Sequence, residues 1–332
     1  MSGFSTVEMA VAVSAAGGLG SLACAQLTLD QADEAIGAFR VAAAGPLNLN
    51  FFCHVPAAPN PAAMAAWHAA LRPYYLEFGL DPDAPPPTAN RIPFDETFCA
   101  LVEQRRPEVV SFHFGLPPQE LLARVKGAGA KVLSSATTVA EAVWLEAHGA
   151  DAVIAMGYEA GGHRGSFLTS DMTAQPGTFA LVPQVADAVS IPVIAAGGIA
   201  DGRGVAAAMI LGASAAQLGT AYLFCPEAKL SAPHRAALAA AADDNTQITN
   251  LFTGRPARGV INRIMREAGP LSPLAPAFPT AGGPLLPLKT RAEADGSGDF
   301  SSLWSGQAAR LSPHLPAGEL TRKLAADALA LL

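Results

Sequence analysis

Residues 192–220 read PVIAAGGIADGRGVAAAMILGASAAQLGT. The β-branched run Pro192–Ala196 ends in Gly197-Gly198. Asp201 then stands where a helix cap belongs, ahead of the small apolar segment Gly202–Leu211. A second run, Ala215–Leu218, follows and ends in Gly219-Thr220. Strand, helix and strand in this order are one unit of a parallel sheet covered by helices. Gly204–Phe224 is uncharged and long enough to cross a bilayer. Gly212, Ser214, Gln217, Gly219 and Thr220 interrupt it, however, so it reads as helix, turn and strand and no membrane span is expected.

The same alternation extends towards the N-terminus. Short apolar runs at Gly18–Leu22, Leu47–Phe52, Val109–Phe114, Lys131–Ser134 and Ala152–Met156 are each followed by an Ala- and Leu-rich helical segment. Most read as apolar on both faces, as strands of a covered parallel sheet do. Thr138 and Glu141 have the spacing of a capping box. The count is seven strands, yet the chain opens with a helix from Thr6 to Ala16. A closed (β/α)8 TIM barrel needs one more strand before it, and Met1–Gly3 is too short to supply one. The expected fold is α/β, a TIM barrel whose first strand is missing from this chain, with a smaller helical lid domain.

Two passages break the alternation. Cys53–Glu96 is rich in proline, with one helix expected around Ala62–Leu71; residues 226–303 are helical at first and then rich in Gly and Pro. Segments this long in a compact enzyme usually cover a site. The expected organisation is a barrel over 1–225, a helical lid over 226–303 and a closing helix over 304–332.

Composition narrows the function. Only 15% of the 332 residues are charged and 51% are hydrophobic, which argues for a large buried core. A net charge of −7 leaves no basic stripe for nucleic acid. The four cysteines, Cys24, Cys53, Cys99 and Cys225, lie far apart with no CxxC pair, which favours a reduced, cytoplasmic setting without disulfides or thiolate zinc. No basic n-region precedes an apolar core, so no secretory leader is expected. No His or carboxylate pair has ligand spacing for a metal.

Catalytic groups of such barrels sit at the C-terminal ends of strands, with phosphate held by the loops after the last two. Here those ends are Gly197-Gly198 and Gln217-Leu218-Gly219-Thr220, where glycines let backbone N–H groups approach a phosphate. The helix opened by Asp201 would add its positive end. After Ala152–Met156 comes GYEAGGHRGS, residues 157–166, in which Gly161-Gly162 allows a sharp bend that presents His163 over a bound ring. Imidazole is the side chain suited to proton transfer near neutral pH. His113 ends its strand near the same mouth, as a catalytic group or as a bonded core histidine. Asn50 is an amide inside an apolar strand and needs a partner, such as a cofactor ring edge. Asn48 and His54 receive no assignment; His68, His148, His234 and His314 are expected at the surface.

Together, AGGLGS (16–21), LNLNFF (47–52), SFHFG (111–115), LSSATT (133–138), GYEAGGHRG (157–165), PVIAAGGIADG (192–202), AQLGT (216–220) and LWSGQ (303–307) resemble the nitronate monooxygenase family, formerly called 2-nitropropane dioxygenases, of class I type. The resemblance runs over nearly the whole chain. It implies FMN in a TIM barrel and oxidation of alkyl nitronates by O2 to a carbonyl compound and nitrite, through one-electron transfer to the flavin. Propionate 3-nitronate is the family's usual substrate. By position, the FMN phosphate falls to Gly198 and Gln217–Thr220, the ring contacts to Asn50 and Gly161, and the base or anion partner to His163. Met156 stands where the family has a flavin-contacting Gln, and a thioether is only a weak acceptor. Family members also begin with a strand ending in Met-Ala-Gly; Met1-Ser2-Gly3 aligns with that ending, so the strand is expected upstream of a start placed too late. The carboxylate partner is left open among His113, Tyr222 and lid residues, and the protein is expected as a monomer or homodimer. The alternative on the same barrel is a flavin-dependent NAD(P)H reductase of quinones or enoyl thioesters.

Overall fold

The computed structural model describes residues 3–87 and 91–332. Seven parallel strands form one curved sheet: β1 (Gly20–Ala23), β2 (Leu47–Phe52), β3 (Val109–His113), β4 (Lys131–Ala136), β5 (Ala152–Met156), β7 (Val193–Ala196) and β8 (Ala215–Gln217), neighbouring one another in that order. Between β5 and β7 lies the two-residue β6 (Gly162–His163). It pairs antiparallel with β10 (Ala257–Val260), which in turn pairs with β9 (Thr246–Thr249). The helices are α1 (Val7–Ala15), α2 (Leu29–Ala42), α3 (Pro61–Glu77), α4 (Glu96–Arg105), α5 (Gln119–Gly127), α6 (Val139–Ala147), α7 (Thr178–Ala188), α8 (Gly202–Ile210), α9 (Thr220–Leu223), α10 (Ala232–Ala239), α11 (Arg263–Ala268), α12 (Gly282–Ala294) and α13 (Ala317–Leu329). This is the TIM-barrel-like α/β architecture expected, with seven strands among the described residues and β1 and β8 at the sheet's two edges. The alignment of Met1 and Ser2 with the end of a further strand lies outside the described residues.

Side chains alternate across each strand. Leu47, Leu49 and Phe51 of β2, Val110 and Phe112 of β3, Val153 and Ala155 of β5, and Val193 and Ala195 of β7 face the helices and are buried in two cores. The intervening residues, Asn48, Asn50, Ser111, His113, Ser135, Met156 and Ala196 among them, line an interior cavity. The expectation of strands apolar on both faces therefore fails on β2, β3 and β4, whose inner face is polar because it lines a site. Parallel pairing aligns Met156 with Ala196 and Ala196 with Gln217, so three C-terminal strand ends sit side by side at the mouth.

The segment 226–303, expected to be helical, also carries β9 and β10. The helix of the Pro-rich passage is longer than expected and packs on this segment. Trp67, Leu71 and Tyr75 of α3 share a core with Leu251, Phe252, Leu285 and Phe300. The Trp67 indole donates to the Ala281 carbonyl at 2.9 Å and the Tyr75 hydroxyl to that of Pro284 at 2.6 Å. Apolar packing with both polar tips satisfied ties the two passages together. Helix α13 lies against α8 and α1. His234 is not at the surface as expected: it is 2% exposed, bonds the Trp304 carbonyl at 3.0 Å and meets Phe4 edge-on.

The expected capping box at Thr138 forms only in part. Thr138 Oγ1 accepts from the Glu141 N–H, but the Glu141 carboxylate accepts from the backbone and hydroxyl of Thr137, both at 2.7 Å, and from the Phe167 and Leu168 N–H groups at 2.7 and 3.1 Å. Glu141 is fully buried, and this one carboxylate joins the β4–α6 turn to the loop after β6. Hydrogen bonds to a buried charge are worth more than neutral ones, and their loss strands several N–H groups. Glu141→Ala is expected to lower the unfolding free energy by about 3 kcal/mol. Urea unfolding followed by circular dichroism measures this directly.

Candidate active site

The cavity measures about 570 Å³ and opens at the C-terminal ends of the strands. Every residue that the sequence singled out for cofactor or catalysis lines it: Asn50, His113, Met156, Gly161, Gly162, His163, Gly197, Gly198, Gln217, Leu218, Gly219 and Thr220.

At one end stand the turns after β7 and β8. Gly197 and Gly198 have φ of +104° and +70°, a left-handed backbone that only glycine adopts without strain. The N–H groups of Gly198, Gly219 and Thr220 donate to no acceptor among the described residues. The N-terminus of α8, expected to add its dipole, is already occupied. Asp201 accepts from the Arg203 and Gly204 N–H groups at 3.0 and 3.3 Å and pairs with the Arg203 guanidinium at 2.6 Å. An anion at this end meets loop N–H groups rather than that helix end.

Deeper in the barrel, Asn48 Nδ2 donates to the Ser21 and Ser111 hydroxyls at 3.1 and 2.9 Å, while its buried Oδ1 has no partner. Asn50 Nδ2 donates to Ser111 Oγ at 2.9 Å.

The loop after β5 is folded by two buried arginines. Arg164, fully buried, donates to the carbonyls of Met156 and Gly157 at 2.9 and 2.5 Å and to Gln175 Oε1 at 2.9 Å. Burial holds its pKa down to about 10. Arg258 donates to the Tyr158 carbonyl at 3.0 Å and lies over the Tyr158 ring. Gly161 abuts Gly306, and a Cβ there would stand 2.5 Å from the Gly306 nitrogen, so the bend needs glycine for close approach. The loop therefore delivers His163 to the mouth as part of β6, opposite Ala257 of β10.

His163 Nε2 lies 2.9 Å from Thr253 Oγ1. That hydroxyl also lies 3.4 Å from both the nitrogen and the carbonyl of Arg255, so it can serve His163 Nε2 as acceptor or as donor. Nδ1 makes no hydrogen bond with the described residues. Burial first, then the positive charge of Arg91, holds the imidazole well below its usual pKa. His113 differs. Its Nδ1 meets Ser135 Oγ and its Nε2 the His163 carbonyl, both at 3.1 Å, and burial pushes its pKa to about 3. Both of its nitrogens are engaged by protein. Around the two histidines, Phe52, Phe114, Phe278 and Trp304 form an aromatic wall, with ring centroids 5.6–6.1 Å from His163.

Three groups here escaped the sequence reading. Thr253, Arg91 and Arg255 lie in irregular segments, and no spacing in the chain connects them with His163. Arg164 carried a signal: a charge between glycines in a chain poor in charge. Among the described residues no helix is long and apolar enough to cross a membrane, and no group of three or more His, Cys, Asp or Glu is placed to hold a metal ion.

Comparison with known proteins agrees with this geometry. A sequence model of the nitronate monooxygenase family matches residues 1–327. The chain is 44% identical over 329 residues to a nitronate monooxygenase of Pseudomonas aeruginosa, covering 98% of this chain and 93% of that one. Among solved structures, the nitroalkane oxidase of Streptomyces ansochromogenes superposes with a TM-score of 0.91 at 40% identity, covering 99% of this chain and 94% of that one. FabK from Thermotoga maritima superposes with a TM-score of 0.74 at 28% identity, covering 100% and 91%. The chain belongs to the nitronate monooxygenase family of oxidoreductases.

Proposed function

We propose that this enzyme binds FMN in the barrel cavity and oxidises alkyl nitronates, propionate 3-nitronate among them, with O2 to a carbonyl compound and nitrite. The observation that carries the reading is His163, a half-buried imidazole whose Nδ1 makes no bond with the described residues, set in a cavity lined by no Asp or Glu among the described residues. An unprotonated imidazole can take the α-proton of a carbon acid, and a lining without carboxylates does not repel the nitronate anion that results.

The residues present fit FMN. The volume falls in the range of small-molecule sites, roughly 300–1,000 Å³. The unpartnered N–H groups of Gly198, Gly219 and Thr220 suit a phosphate, with Gly197, Gln217 and Leu218 shaping the cradle. Asn50, Gly161, Gly162 and Met156 would border the ring, and Asn48 Oδ1 offers an unused acceptor. Bound FMN would supply one-electron redox chemistry between nitronate and O2. In this reading residues 1–225 form the barrel, 226–303 the cover and 304–332 the closing helix.

The chain's own groups do the rest. His163 Nδ1 takes the α-proton of a neutral nitroalkane, and the resulting imidazolium faces the nitronate oxygens. Thr253, taken as acceptor from Nε2, leaves Nδ1 free. His113 keeps the His163 backbone in place through its bond to the carbonyl, a positioning role. The aromatic wall keeps water from the reacting carbon.

The test is an aerobic assay of FMN-loaded protein with propionate 3-nitronate, following O2 uptake and nitrite. Rapid bleaching of the flavin absorbance by NADH without O2, and no nitrite release, would instead support the reductase alternative. His163→Asn is expected to cut turnover of neutral nitroalkanes by at least about a hundredfold and of preformed nitronates far less; equal losses on both would remove the proton-abstraction role. Thr253→Val is expected to lower kcat on neutral nitroalkanes by about tenfold while leaving flavin affinity intact, read by flavin fluorescence titration. The pH profile follows from the depressed pKa of His163. The neutral base is present wherever the pH exceeds that value, so kcat/KM on a neutral nitroalkane stays level as pH falls through ~6.5, the ordinary imidazole pKa, and drops only further down.

A further inference from the structure

Ser111 stands in the middle of β3, 2% exposed, on the face that lines the cavity. It lies opposite Asn50 of β2 in parallel register, and its neighbour on the other side is Leu133 of β4. Asn50 in turn has Ala23 of β1 on its far side. Neither Leu133 nor Ala23 carries a side-chain hydrogen-bonding group, so across the sheet the Asn50 amide finds only Ser111.

That one partner decides which way the amide points. Asn50 Nδ2 lies 3.3 Å from the Ser111 carbonyl and 2.9 Å from Ser111 Oγ. A carbonyl only accepts, so the atom facing it is the nitrogen; the reversed amide would set two oxygens against each other. Asn48 Nδ2 donates to the same hydroxyl at 2.9 Å, which engages Ser111 Oγ as acceptor from both amides. Asn50 Oδ1 makes no hydrogen bond with the described residues and stays accessible to the cavity. A group bound against Asn50 therefore meets an acceptor and has to bring the hydrogen itself. The isoalloxazine ring of oxidised FMN offers acceptors at both carbonyl oxygens, N1 and N5, and a single donor, N3–H.

We propose that Ser111 is a positioning residue for the cofactor: by holding the Asn50 nitrogen it turns Oδ1 towards the ring, where Oδ1 accepts from the flavin N3–H. This rests on the FMN reading above and goes beyond it, naming the atom that Asn50 offers, the ring position it meets and the residue that fixes the choice. The same orientation bears on which rings the site takes. A flavin alkylated at N3 has no donor to offer and would leave Oδ1 unpaired.

The test loads the full chain with FMN carrying a nitrogen isotope label at N3 and follows the N3–H by NMR. In wild type the N3–H signal should lie downfield of that of free FMN, and its exchange with water should be slower by at least about tenfold. Ser111→Ala removes the shorter of the two bonds to the amide; it should move the signal back towards free FMN and speed the exchange. Ser111→Thr keeps the hydroxyl and should restore both. A Ser111 that served only packing would change affinity or stability and leave the N3–H signal where it was. A wild-type signal at the free-flavin position overturns the proposal, and this arm stands even if Ser111→Ala fails to fold. A signal unmoved by Ser111→Ala overturns it as well. Absence of FMN binding in a fluorescence titration would remove the FMN reading itself, whereas bound FMN with a fast-exchanging N3–H removes only the role given to Ser111 and Asn50.

Discussion

The Arg164 guanidinium is the contact on which the site depends. It lies in the interior with no paired carboxylate and donates instead to two successive carbonyls at the end of β5 and to Gln175. The Gly157 carbonyl also accepts from the Ala160 N–H at 3.1 Å, and the charge would otherwise be buried alone. These bonds fold the loop back on its own strand. The position of His163, one residue away along the chain, follows from that fold.

Around this clamp the barrel separates two environments by the two-residue period of its strands. One side of each strand is packed hydrocarbon. On β2, β3 and β4 the other side is a lattice of amides, hydroxyls and one histidine whose hydrogen bonds are nearly all internal. Such a lattice is rigid, because moving one member unpairs several. In a protein of net charge −7, the same lining carries cations and no carboxylates. The buried carboxylate of Glu141 is spent on backbone N–H groups and the Thr137 hydroxyl and does not line the cavity.

Much of this was legible in the chain. All seven sheet strands could be read from short apolar runs, because the face packed on the helices demands apolar residues, and four of the runs stop at a glycine: Gly115, Gly157, Gly197 and Gly219. The glycine pairs at 161–162 and 197–198 were legible because the backbone there must bend or be approached closely, and few other residues permit it. What stayed hidden was long-range or context-dependent. Thr253 reaches His163 from ninety residues away. β9 and β10 read Thr-Gln-Ile-Thr and Ala-Arg-Gly-Val, without the apolar run that marks the strands of the main sheet. His234 looked polar because its neighbours in sequence are polar, yet its burial comes from Phe4 and Trp304 at opposite ends of the chain. Glu141 fitted a local cap, and the tertiary fold gave its carboxylate to Thr137 and to the loop after β6 instead.

The pairing of β6 with β10 has a mechanical consequence. His163 is at once the imidazole at the barrel mouth and a rung of the small antiparallel sheet, opposite Ala257. Thr253, which meets its Nε2 at 2.9 Å, lies four residues before Ala257 on the segment leading into that same strand. Displacing β10 from the barrel would thus withdraw the imidazole and part it from its hydroxyl partner in one movement. Access to the mouth and the position of the ring are geared together, so a seated small sheet and a seated His163 are the same state of the molecule.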